Sequence, residues 1–258
     1  MRISAEIEGE ILGSNDLRSE DLLRESCITI LHQLPDLKVD RYGIYEPVRN
    51  KLDDNALDDI VSLSKRANSV LMKGKGTLVI LGKPTDHERY TRASLTLSGS
   101  ANVESGIKFV DAFAKLYSAD FAFMHRLAED DINYSVAAEC AILLDPSRNG
   151  YTLTVSTKKL TNCVPDIYWY TVFGRPYIDL FGRETILSAP ANRVLELSSD
   201  LISLQLSDKI TDLQSFPKEL REMREAIKRH LGPDSFFDPA FGPGKTYRVP
   251  YLRTPIHE

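Results

Sequence analysis

The densest ionisable groupings in this sequence are acidic: Glu6, Glu8 and Glu10; Asp53, Asp54, Asp58 and Asp59; and Glu129, Asp130 and Asp131. Paired carboxylates can exchange protons as general acid and base, or bind a divalent cation. They can equally form a solvated face with helix N-terminal charges that the macrodipole favours, which suits Asp53 and Asp54. A third use is a patch complementary to a basic protein partner, where opposite potentials steer association and select the partner. On that reading the partner-binding candidates are Glu6, Glu8, Glu10, Asp58, Asp59, Glu129, Asp130 and Asp131.

Other chemistry finds little support. Gly242-Pro243-Gly244-Lys245-Thr246 looks like the end of a phosphate-binding loop, but Pro239 stands where that pattern needs a glycine. Extended Tyr247-Arg248-Val249-Pro250 follows where a helix should begin. The histidines, His32, His87, His125, His230 and His257, are isolated and show no metal-ligand spacing. There is no G-x-S-x-G elbow, and Cys163 beside Asn162 has no local signature of a nucleophile. Cys27, Cys140 and Cys163 are odd in number and far apart, so they are expected as reduced packing residues. No catalytic residue, metal ligand or cofactor is expected.

Bulk properties narrow the classes further. The chain has 258 residues, 37 acidic and 32 basic, for a net charge of −5. A protein that grips a phosphate backbone usually carries a basic excess, so direct nucleic-acid binding is not expected. The N-terminal Met1-Arg2-Ile3-Ser4-Ala5-Glu6 has no apolar signal region. No stretch approaches the roughly 18–20 apolar residues of a membrane span. A cytoplasmic protein without a membrane partner is the expectation.

The elements that must position these residues can be read from periodicity. Residues 2–12 alternate Ile3, Ala5, Ile7, Gly9 and Ile11 with Ser4, Glu6, Glu8 and Glu10, the pattern of a half-exposed strand with one charged face. Ser19 caps a helix through about His32, and Pro35 stops it. Lys38 to Arg49, with Val39, Tyr42, Ile44 and Tyr45 before Pro47, reads as a short strand or extended loop. A helix over roughly 56–72, capped by Asp53 or Asp54, is expected to end at Gly74 and Gly76. Strands follow at Thr77–Gly82 and Tyr90–Leu97, and Ser105 caps a helix over 106–117. Phe121–Met124 reads as a buried strand, and 127–144 as helix from its Ala and Glu content. The turn cluster Asp145-Pro146-Ser147-Arg148-Asn149-Gly150 marks a candidate internal boundary. Beyond it come strands at Tyr151–Val155 and Ile167–Phe173. A short helix runs from Pro176 to about Leu187, a strand pair covers Val194–Leu197 and Leu201–Leu206, and a charged helix covers 218–231. The aromatic run Tyr168 to Tyr177, with the single tryptophan Trp169, reads as core filling. The fold class is α+β: a mixed or antiparallel sheet, or sheets, with helices on one face, or two similar α/β halves. It is read as one domain over 1–258 with a candidate sub-division near 145–150.

One stretch resembles a known family. Pro165-Asp166-Ile167-Tyr168-Trp169, then Phe173-Gly174-x-Pro176-Tyr177-Ile178-x-x-Phe181-Gly182-Arg183-Glu184-x-Ile186-Leu187, is similar to the middle of immunity proteins of bacterial polymorphic-toxin and type VI secretion systems. Ser188-Ala189-Pro190 and a strand pair from Val194 to Leu206 follow, as in that family. The early helix with Arg24-Glu25-Ser26, the mid-chain strand pair and Phe109 to Phe123 have a similar rhythm. The resemblance implies a non-enzymatic protein that binds a cognate toxin and blocks its active site. It carries over no contact residue, because toxin contacts vary within such families. The alternatives are a hydrolase-type enzyme using convergent Asp and Glu carboxylates, and an adaptor for a different protein partner.

Overall fold

The computed structural model describes residues 2–3, 6–85, 90–99, 102–134, 142–145, 150–155, 157–160, 162–238 and 246–252. In chain order, β1 (Arg2–Ile3) and β2 (Ile7–Gly13) precede α1 (Glu20–Ile28), which runs on as a π-helical turn to Gln33. Then come β3 (Val39–Gly43), β4 (Asn50–Lys51), α2 (Leu57–Ser64), β5 (Ser69–Gly74), β6 (Thr77–Gly82), β7 (Thr91–Leu97), α3 (Val103–Leu116) and β8 (Ala119–Arg126). The rest comprises α4 (Glu129–Tyr134), β9 (Ile142–Asp145), β10 (Gly150–Leu153), α5 (Thr157–Leu160), β11 (Tyr170–Phe173), α6 (Arg175–Phe181) and α7 (Arg183–Leu187). It closes with β12 (Arg193–Ser198), β13 (Leu201–Gln205), α8 (Asp212–Ser215) and α9 (Pro217–Leu231). This is an α+β fold whose principal sheet has ten strands. The contacts of the described residues divide into two compact units, one within 7–122 and the other within 2–6 and 123–252, the division falling inside β8. The turn cluster at 145–150 lies within the second of these.

In the unit of residues 7–122 the strand order is β8-β2-β7-β6-β5-β3-β4, and the pairings from β2 through β7, β6, β5 and β3 to β4 are antiparallel. Alternation decides which face is covered. Ile7, Ile11, Ala93, Leu95, Val79, Leu81, Val70 and Met72 are cross-strand neighbours on one face, and all are buried. Helices α2 and α3 pack on these strands, and α1 packs on both helices. Helix α3 presents Phe109, Val110, Phe113, Ala114 and Tyr117, each fully buried and spaced by three and four. Asn102, whose side chain accepts from the Glu104 N–H, caps it three residues earlier than expected. Close approach ties the end of β2 to the end of α3: a Cβ on Gly13 would sit 2.3 Å from the Tyr117 carbonyl oxygen.

Two expected helices are shorter than the periodicity suggested. Helix α2 stops at Ser64, and Val70 and Leu71 belong to β5. Val70 and Met72 point into the core while Ser69 and Leu71 are half-buried, a period of two that pairs with β6 on one side and β3 on the other. Gly74 and Gly76 therefore do not cap a helix. They belong to the β5–β6 hairpin, whose turn needs the positive φ of Gly76, +76°. Similarly, only Glu129–Tyr134 of the segment 127–144 is described as helix, and Ile142–Asp145 is a strand paired antiparallel with β10.

In the other unit the sheet order is β12-β13-β11-β8, and a small sheet runs β1-β10-β9 with β1 parallel to β10. The aromatic run fills this core as expected: Tyr168, Trp169, Tyr170, Phe173 and Tyr177 are all at most 3% exposed. Phe173 packs edge-on against Phe181, which in turn stacks on Phe236. Helix α6 packs on β11 and β13, α7 on β12, and α9 on α7 and α8. Among the described residues no helix is long and apolar enough to cross a membrane.

Candidate functional site

Among the described residues, a cluster of buried ionisable side chains lies in the interior of the unit that contains residues 123–252. His125 closes β8. Asp131 lies in the first turn of α4, where its Oδ2 accepts the Ala128 N–H at 2.8 Å. Asp166 precedes β11 and accepts the Ile167 N–H at 2.7 Å. Helix α9 supplies Arg224 and Lys228, four residues apart and hence on one face. The inward stripe of that helix is Leu220, Arg224, Ile227, Lys228 and Leu231, so two cations occupy core positions.

The charged groups pair with one another, while Arg224 Nε is buried with no hydrogen-bond partner among the described residues. Arg224 Nη1 lies 2.7 Å from Asp131 Oδ1 and 3.9 Å from Asp166 Oδ2, and Lys228 Nζ lies 2.7 Å from Asp166 Oδ1. His125 Nε2 is 3.0 Å from Asp131 Oδ2, and His125 Nδ1 accepts the Trp169 N–H at 3.0 Å. That second bond assigns the ring proton to Nε2, which donates to Asp131. Both ring nitrogens are thus engaged, and neither is left to act as base or metal ligand. At the outer end Arg221 binds Asp130 at 2.9 Å and Glu225 binds Lys228 at 3.1 Å.

Burial alone would push both aspartates up. The His125 N–H and the Arg224 charge at Asp131, and the charges of Lys228 and Arg224 at Asp166, outweigh it and hold both carboxyls below the usual range. Burial likewise opposes the Arg224 and Lys228 charges, and the two aspartates overcome it and raise both. The result is a charge-neutral set, two aspartates against two cations, that staples α9 to the first turn of α4 and to the segment before β11. Its chemistry is mutual neutralisation.

The acidic clusters are distributed differently from the patch expected of them. Glu8 and Glu10 are 7% and 4% exposed, and Glu10 pairs with Arg92. The alternation in β2 is real, but β2 is an internal strand buried on both faces, so its charged side does not meet solvent as expected. Glu6 is half-buried. Asp58 is exposed and holds Arg24 at 2.5 Å, and Asp59 accepts the Tyr42 hydroxyl at 2.5 Å. Asp53 accepts the Asn55 N–H as the cap of a short 3-10 turn, Asp54–Ala56, that leads into α2, whereas α2 itself starts from Ala56 without the side-chain cap expected of Asp53 or Asp54; Asp54 meets His32 at 2.7 Å. Glu129 is exposed, Asp130 half-buried on Arg221, and Asp131 interior at 3%. Glu8, Glu10 and Asp131 therefore cannot face a partner from where they stand.

Cys27 and Cys163 are free and buried, and burial pushes the Cys27 thiol up to about 12. Cys140, His87, His257 and residues 239–245 of the loop-like glycine run lie outside the described residues. Among the described residues, no group of three His, Cys, Asp or Glu is placed to hold a metal ion.

No family model matches the chain, and no curated protein matches it. In fold it is similar to the Pseudomonas aeruginosa T6SS protein PA0821, with a TM-score of 0.50 and 11% sequence identity over 86% of this chain and 76% of that one.

Proposed function

We propose that this protein binds a cognate protein toxin of a type VI secretion system stoichiometrically and neutralises it by covering its active site. The observation that carries the reading is the fold likeness to a T6SS protein along most of both chains, in keeping with the 165–187 aromatic–glycine motif. The interior charge set adds support, because its members are spent on holding α9 in place and so rigidify a binding scaffold. Rigid partners lose less entropy on association, which favours tight inhibition. A neutralising complex of standard size would bury on the order of 1,600 Å² in total.

The test is co-expression with candidate toxin-domain proteins of type VI secretion systems from the same genome, followed by purification of the pair. Restored growth and a complex of fixed stoichiometry are expected. Undiminished killing in cells that contain soluble, folded protein overturns the proposal.

A further inference from the structure

A surface hollow of about 550 Å³ in the unit of residues 7–122 stands apart from the rest of this acidic chain. Four separate segments build it: Arg18 before α1, Ile44 and Tyr45 after β3, the turn from Ser64 to Ser69 that ends α2, and Lys83 with Pro84 after β6. Its lining includes the cations Arg18, Lys65, Arg66 and Lys83 and no carboxylate. The whole sequence has more acidic than basic residues, 37 to 32, so this is a local inversion of charge.

Three of the four cations are already held in place. Arg18 is gripped by Asp16 at 2.6 Å, Lys65 by Glu20 at 2.7 Å, and Lys83 Nζ donates to the Ser64 carbonyl at 2.5 Å. The last bond answers the partial negative charge at the C-terminal end of α2, as do the N–H groups of Arg66 and Ala67, bonded to the Leu63 and Ser64 carbonyls. Arg66 is exposed, and its guanidinium has no ion-pair partner among the described residues. Among the described residues, four cations against the two carboxylates of Asp16 and Glu20 leave an excess of positive charge. Beside it stands Tyr45, 73% exposed, a large side chain that folding leaves in water.

We propose that this hollow receives an acidic segment of a protein partner, its carboxylates meeting Arg66, Arg18 and Lys83 and its backbone or apolar side chains lying on Tyr45. Tyrosine and arginine together are the residue types that dominate binding hot spots. Two cations clamped in advance lower the ordering cost, and an arginine fork can take a carboxylate through two hydrogen bonds. The apolar contribution of Tyr45, Ile44, Ala67 and Pro84 favours a peptide over a bare anion. The inference rests on the reading of this chain as a protein-binding protein and assigns a surface that the acidic clusters do not supply.

The experiment uses the full chain and two probes, a fluorescein-labelled hexaglutamate peptide and inorganic phosphate. At low salt the peptide is expected to bind, with affinity falling steeply as salt rises. Arg66→Glu and Tyr45→Ala, both exposed positions, are expected to weaken it at least tenfold and fivefold, and Arg229→Glu on α9 to leave it unchanged. Circular dichroism confirms that each variant folds. Equal binding by Arg66→Glu, no binding by the wild type, or displacement of the peptide by phosphate at lower concentration than unlabelled peptide overturns the proposal. The same variants are then titrated with the toxin. A wild type that binds hexaglutamate but not the toxin sinks the toxin reading and leaves the hollow standing. A wild type that binds the toxin with an affinity indifferent to Arg66→Glu sinks the hollow alone.

Discussion

Arg224 Nη1 stands 2.7 Å from Asp131 Oδ1, where the two side chains retain 10% and 3% of their exposure. A pair this enclosed gives up its hydration to form. Its loss is therefore asymmetric: removing one member strands the other charge, whereas removing both charges need not destabilise.

Arg224→Met is expected to lower the free energy of unfolding by about 3–5 kcal/mol. Adding Asp131→Asn should recover part of that, because the amide can still accept the Ala128 N–H and the His125 proton. Urea denaturation of the two single variants and the double variant measures the coupling. A single Arg224→Met within 1 kcal/mol of wild type, on the scale of an exposed pair, would show that the staple contributes nothing beyond it.

The same pair fixes the sign of the pH dependence. Asp131 and Asp166 are held below the roughly 3.9 of an aspartate in an unfolded chain, so their stabilisation is complete above that value. It is lost as pH falls below about 4 toward the folded values. Lys228 is raised instead, so its share persists through neutrality and disappears only in strong alkali. Stability should be level near neutrality and fall on the acid side. Asp131→Asn should flatten the acid slope between pH 5 and 2.5 in urea-midpoint measurements. An unchanged slope would remove Asp131 as its source.

How far the sequence anticipated these features depends on whether the deciding contact is local. The strands at Thr77–Gly82 and 91–97, the helices α3 and α9 and the strand pair at 193–205 follow from periodicity, since a stripe of side chains must face one core. Helix α2 was over-read because Val70 and Leu71 suit a helical stripe as well as a strand, and only pairing with β3 and β6 separates the two. The exposure of Glu8 and Glu10 could not be read from alternation, which marks two faces without saying whether both are covered. Arg224 and Lys228 did carry a signal. They lie on the Leu220–Ile227–Leu231 stripe, and a cation on an apolar stripe requires a buried carboxylate. Which carboxylates answer, Asp131 and Asp166, is set by segments about 60 to 90 residues away. The basic hollow draws on four segments and leaves no motif.

Gly13→Ala tests the tie between β2 and α3. The added Cβ would meet the Tyr117 carbonyl oxygen at 2.3 Å and the Tyr117 Cβ at 2.4 Å, so backbone must move. An overpacking loss of about 1–3 kcal/mol is expected. Gly43→Ala is the control, since its nearest neighbours would lie at 3.6 Å. Equal thermal midpoints for the two variants would mean that the β2 end yields more easily than its hydrogen bonds from Ser14 and Asn15 to the 116–118 turn imply.

Trp169 offers a final test, because it is the single tryptophan and is held at three points. Its indole Nε1 donates to Ser207 Oγ at 3.0 Å, its backbone N–H donates to His125, and its carbonyl accepts the Leu206 N–H at 2.9 Å. The side chain is 1% exposed, so acrylamide should quench its fluorescence weakly until the unit unfolds. Ser207→Ala leaves a buried indole donor without that partner, which costs about 1–3 kcal/mol. It should also increase quenching if water enters to replace the hydroxyl. Ser207 itself donates to the Lys209 carbonyl at 2.9 Å, so part of any loss belongs to that turn. Trp169→Phe with and without Ser207→Ala separates the two: a Ser207→Ala effect that stays the same size in the Phe background assigns it to the turn, and one that shrinks assigns it to the indole.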